Sequence, residues 1–137
     1  MDVYRLIIVV IAIAVLDGIW ISSNIGMYRS MYSKIQGSPM NVNILGAILA
    51  YIFVFLVLAV IVIPYIEKTT RGSLFDCLKI GGVSGACVYA IYNFTNMATF
   101  KDYNIRVALM DTMWGGFLFT AVSYLALKLS IISIKND

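Results

Sequence analysis

The chain contains no histidine. That removes the commonest metal ligand, haem ligation through imidazole and any catalytic triad built on histidine. Cysteine is nearly as scarce. Cys77 and Cys87 are the only two, and on one helix ten residues span about 15 Å, too far for a disulfide. Charge is thin as well: 12% of the 137 residues are Asp, Glu, Lys or Arg, against about 25% in an ordinary soluble domain. No cluster of Lys and Arg interleaved with aromatics occurs, so a nucleic-acid partner is not expected. No motif for a cofactor or metal is present, and acid–base chemistry would fall to carboxylates, tyrosines and lysines.

What the chain has instead is apolar surface. Hydrophobic residues make up 61% and the mean hydropathy is +0.91, a membrane signature on a length that suits one domain. Roughly 20 apolar residues cross a hydrocarbon core. The first such segment covers residues 3–25, with an unbroken run from Leu6 to Val15. MDVYR carries no net positive excess and no A-x-A-like site follows, so an uncleaved helix is expected rather than a signal peptide.

Residues 25–42 read as a connection. Met27, Tyr28, Met31, Tyr32 and Ile35 recur at helical spacing opposite Arg29, Ser30, Ser33 and Lys34, which suits a short helix in the headgroup region or a plain loop. Gly37, Ser38 and Pro39 end it, and Asn41 or Asn43 is placed to cap the next helix. The second span, 43–66, has no charge from Ile44 to Ile63 and only Tyr51 bears a polar atom there; Pro64 lies near its end. Apolar all round, it is expected to face lipid. The third span covers 74–99 and the fourth 104–132.

The expected fold is therefore all-α: an integral membrane bundle of four antiparallel transmembrane helices in a single domain. Gly81 and Gly85 stand in GxxxG spacing, and with Gly115 they mark thin helix sides for close packing. Six basic residues (Arg5, Lys68, Arg71, Lys79, Lys128, Lys135) would share a side with both termini, against four (Arg29, Lys34, Lys101, Arg106) on the other. The positive-inside rule then puts both termini in the cytoplasm.

Polar residues interrupt three of the four spans. In GACVYAIYNFTNMAT, Tyr89, Tyr92, Asn93 and Asn96 fall at i, i+3, i+4 and i+7, one helical face. The first and fourth helices share a spacing, Leu16-Asp17-Gly18-Ile19-Trp20 and Met110-Asp111-Thr112-Met113-Trp114, each with Trp on the face of its Asp; Asn24 extends the first. An up-and-down arrangement places all of these in the same half of the bilayer. A carboxylate there costs about 2.5–3.5 kcal/mol on insertion scales and faces a bundle interior or a wet cavity.

These segments also carry a resemblance. LDGIW, GACVYAIYNFTNMATF and MDTMWG, in that order, resemble the four-helix membrane-protein family called domain of unknown function 2177, and the likeness runs nearly the whole chain. Its most specific part is Tyr-x-x-Tyr-x-x-Thr-Asn, residues 89–96. The resemblance implies fold and membrane location, and no particular activity. Family members occur in bacteria and large DNA viruses, so it also allows a viral membrane setting. Where this chain has Asn93 they usually carry an aspartate, so this chain has one intramembrane acid fewer than the resemblance implies.

Three functions are compatible with this pattern. The polar cluster binds or transports a small polar ligand or cation, in a homo-oligomer or with a membrane-protein partner. Alternatively its bonds serve packing, and the chain is a structural or assembly component of a membrane. An intramembrane enzyme is the third, but the Tyr-Asp plus Gly-x-Gly-Asp pattern of the aspartyl proteases is missing, and so is any other catalytic constellation. No catalytic residue is assigned.

Overall fold

The computed structural model describes residues 2–136, with side chains as far as Ser130. The first helix spans Val3–Gln36, the second Ile44–Thr69, the third Leu74–Thr99 and the fourth Ile105–Asn136. Each is long and apolar enough to cross a bilayer, and among the described residues there are no strands. The architecture is all-α with four candidate spans. The side chains of 131–137, including Lys135 from the orientation count, lie outside the described residues.

Local chemistry sets the helix ends. Asp2 accepts from the Arg5 N–H at 2.8 Å, Asn43 accepts from the Gly46 N–H at 3.0 Å, and Ser73 and Asp76 form a reciprocal capping box. Gly37 stops the first helix in a left-handed conformation, φ 68°, which glycine adopts without a Cβ penalty.

Two expected boundaries move. The first helix does not end at Ile25; residues 25–36 continue it without a break to Gln36. Their apolar stripe explains why. Tyr28 and Met31 bury against Tyr103, Val107 and Ala108, with Met27, Tyr32 and Ile35 packed around them. That burial outweighs Gly26, whose helical cost is about 1 kcal/mol. The second helix ends at Thr69 rather than at 66, continuing well past Pro64. A π-helical turn over Val57–Val62 precedes the proline, with the Ile63 N–H bonding the Leu58 carbonyl. The wider turn accommodates a residue that would otherwise strand a carbonyl and clash with the turn before it. The third helix has a π-helical turn of its own, Cys77–Gly82.

Contacts at the helix ends show what lies beside what. Arg5, 5% exposed, donates through Nε to the Ala126 carbonyl at 3.0 Å and pairs with Glu67. At the far end of the first helix, Lys34 lies 3.4 Å from Asp102 in the connection between the third and fourth. Between these ends are two apolar clusters. Val9, Ile13, Leu58, Ile63, Cys77 and Phe119 anchor the larger one, which draws on all four helices. The smaller one joins the end of the first helix to the start of the fourth.

The third and fourth helices approach most closely, along a seam of small residues. A Cβ on Gly85 would strike the Gly115 carbonyl oxygen and come within 2.6 Å of the Phe119 ring; one on Gly115 would strike the Tyr89 ring. Gly82 rests against Thr120 and Gly81 against Ser123. In lipid, where apolar burial drives little helix association, such close backbone approach supplies the packing. It also holds Tyr89 against the fourth helix at the level of Trp114.

Candidate functional site

A single stripe runs along the first helix: Arg5, Val9, Ile13 and Asp17 at i+4 steps, then Trp20, Asn24, Tyr28 and Met31. Its flanking members are buried, and this carries Asp17, 7% exposed, into the interior. Asp111, 8% exposed, arrives from the first third of the fourth helix.

The two aspartates do not bond each other. Each takes its indole donor from the other's helix. Trp114 Nε1–H donates to Asp17 Oδ1 at 2.7 Å, and Trp20 Nε1–H donates to Asp111 Oδ1 at 3.1 Å. The indoles stack between the carboxylates, centroids 4.6 Å apart and 4° from parallel. The shared Asp-x-x-Trp spacing thus forms a reciprocal brace: on each helix the Asp and Trp lie three residues apart on one face, so two facing copies exchange donors.

Phenols complete both carboxylates. Tyr51 O–H donates to Asp17 Oδ2 at 2.7 Å and Tyr89 O–H to Oδ1 at 3.3 Å. Tyr28 O–H donates to Asp111 Oδ1 and accepts from Trp20 Nε1 at 2.9 Å. Every one of these donors is neutral. Among the described residues no Lys or Arg bonds either carboxylate, since Arg5, the buried cation, is paired with Glu67. Indole and phenol donors bring no counter-charge to either carboxylate, and in a low-dielectric interior an uncancelled charge is costly.

The remaining expected site residues divide. Asn93, fully buried, donates through Nδ2 to the Tyr89 carbonyl at 2.9 Å and accepts from Tyr103 O–H at 2.7 Å. Burial pushes the Tyr103 phenol above its ordinary range, keeping it a donor. Asn24 turns back on its own helix, donating to the Trp20 carbonyl at 2.9 Å. Tyr92 is exposed, its hydroxyl 3.0 Å from that of Tyr32, and Asn96 is half-buried one turn beyond Asn93. Gly81, Gly85 and Gly115 lie in the seam rather than at the carboxylates.

Two clefts meet at Asp17 and Tyr89. One, of about 410 Å³, lies between the second helix and the first and third, walled by Ala47, Ala50, Tyr51, Val54, Val57 and Val88. The other, of about 240 Å³, runs past Trp20, Tyr28 and Tyr32 to Asp111.

Sequence reasoning missed Tyr51, Tyr28, Tyr103, Arg5 and Glu67. Two left a signal. Tyr51 is the one hydroxyl in an otherwise wholly apolar stretch, which is itself a reason to seek its partner. Tyr28 is eleven residues from Asp17, about three turns and so the same face.

Comparison with known proteins gives a family and nothing nearer. No curated protein and no solved structure matches the chain. The profile of the family described as "Predicted membrane protein (DUF2177)" matches residues 3–128, from the start of the first helix nearly to the last side chain described. The chain belongs to this DUF2177 family of predicted membrane proteins.

Proposed function

We propose that the chain is an intramembrane binding protein for a ligand that carries a positive charge, received at Asp17 and Asp111. The observation that carries this reading is the donor set: two buried carboxylates with neutral partners only, both lining clefts. A cation supplies what the donors leave unmet, the compensation of charge in an interior that penalises an unpaired one. Four helices enclose little volume alone, so the working unit is a homo-oligomer or a complex with a membrane partner.

The test is thermal unfolding of the detergent-solubilised protein titrated with sodium, potassium, tetramethylammonium and guanidinium. At least one should raise the Tm of the parent and leave that of the Asp17→Asn, Asp111→Asn double variant unmoved. A double variant that responds like the parent, or a parent that responds to none of them, would sink the reading.

One observation favours a second reading, a structural or assembly component of a cellular or viral membrane. The first half of the second helix, Ile44–Leu56, buries no residue within the chain. A partner or a second copy covering that face would make the aspartate brace a packing device. Co-purification with a defined partner, with aspartate substitutions that alter stability alone, distinguishes it.

A further inference from the structure

The larger cleft has a chemistry of its own. Its walls are Ala, Val, Ile and Phe side chains with Tyr92, and the hydroxyls of Tyr51 and Tyr89 both converge on Asp17. The cleft therefore presents one carboxylate in an otherwise apolar trough. A hydrated inorganic ion would gain nothing from such walls, because they offer no ligands to replace its water. An anionic amphiphile would set its head against a carboxylate with no Lys or Arg at hand. A phospholipid would bring its phosphate to the same place.

Access is lateral. Ala47 and Ala50 on the second helix and Val88 on the third leave the volume open, and the second helix buries no side chain along Ile44–Leu56. About 410 Å³ falls within the ordinary range of small-molecule sites.

We propose, building on the cation-binding reading, that the ligand is a single-chain amphiphile with an amine head, which enters from the bilayer with its chain between Ala50 and Val88 and its head at Asp17. Charge complementarity selects the head. The apolar trough selects the chain.

The chain's two tryptophans, Trp20 and Trp114, both donate to the carboxylates, Trp114 to Asp17 itself, so intrinsic tryptophan fluorescence reports on a ligand whose head reaches Asp17. The experiment uses the full chain in phosphatidylcholine vesicles, quenched by a dodecylamine brominated on its chain. Quenching should be saturable, and a brominated dodecanol should give only the unsaturable quenching of a probe dissolved in the bilayer. Asp17→Asn should weaken the amine by about tenfold or more. Ala50→Phe and the smaller Ala47→Leu should weaken it by about tenfold, and weaken methylamine less, because the chain and not the head rests on these walls. Ala50 is exposed within the chain, so its enlargement burdens no core contact. If both cleft variants bind the amine like the parent, or methylamine competes as well as dodecylamine, the chain has no seat there and this inference falls while the cation reading stands. If no amine, short or long, binds in a way that depends on Asp17, both fall together.

Discussion

Trp20 and Trp114 lie face to face, centroids 4.6 Å apart, and each donates its indole N–H to the aspartate three residues from the other. The bonds cross between helices far apart in the chain, so neither helix satisfies its own carboxylate. This makes the brace a mutual fastening, and its two halves should not act independently.

Double-mutant analysis measures that dependence. Trp20→Phe and Trp114→Phe each remove one charged hydrogen bond, costing about 1.5–3 kcal/mol, and retain an aromatic face. Because the rings also stack, the pair should show a coupling of about 1 kcal/mol or more in equilibrium unfolding. Strict additivity would mean that the indoles serve separate networks.

Replacing the aspartates with asparagine separates charge from hydrogen bonding. The amide introduced at either position would keep an oxygen for the indole, and the tyrosine hydroxyls can reverse to accept from its NH₂ group. Asp17→Asn and Asp111→Asn should thus stay within about 1–2 kcal/mol of the parent in unfolding while abolishing cation-dependent stabilisation. A large loss of stability with unchanged ligand response would favour the assembly role.

The small-residue seam makes opposite predictions at neighbouring positions. Gly85→Ala drives a methyl group into the Gly115 carbonyl and the Phe119 ring, and overpacking of this kind costs about 1–3 kcal/mol or more. Ser123, by contrast, is fully buried and its hydroxyl has no partner among the described residues. Ser123→Ala should stabilise the protein by about 1 kcal/mol, read as a higher Tm.

At the other end of the first helix, the buried Arg5 pairs with the exposed Glu67, and its guanidinium also serves the Ala126 carbonyl. Glu67→Ala leaves the buried Arg5 without its counter-charge and should cost about 1–3 kcal/mol, less than for a fully buried pair because Glu67 itself is exposed. Arg5→Met with Glu67→Met should recover much of that loss. Equal stability of the single and double variants would show the pair to be effectively solvated.

Much of this fold is legible in the sequence because membrane spans are written in long apolar runs, and the cap at Asn43 in a familiar side chain. The end of the first helix is not, because hydropathy falls at Ile25 while helical periodicity does not; Tyr28 and Met31 continue the stripe of Asp17. At the site, Asp17 and Asp111 stand out for their cost, but their donors do not. Which indole serves which carboxylate depends on how two helices face each other, and helical spacing cannot report that. Tyr51 reads as lipid-facing because its helix is apolar all round, although one hydroxyl among apolar neighbours has only the interior in which to find an acceptor.

The π-helical turn at Cys77–Gly82 bears on the brace from a distance. Such a turn holds one residue more than the α-helical path would need, so it keeps everything after it in phase with a spare residue taken up. Deleting a single residue there would restore a regular helix and leave the rest in place, with Gly85 still against Gly115 and Tyr89 and Asn93 still at the fourth helix. A residue added there would find that slack already used and would swing the rest by about 100° in azimuth. The third helix therefore carries a spare residue, and an insertion in that turn, rather than a deletion, is the length change that would dismantle the site without touching a residue in it.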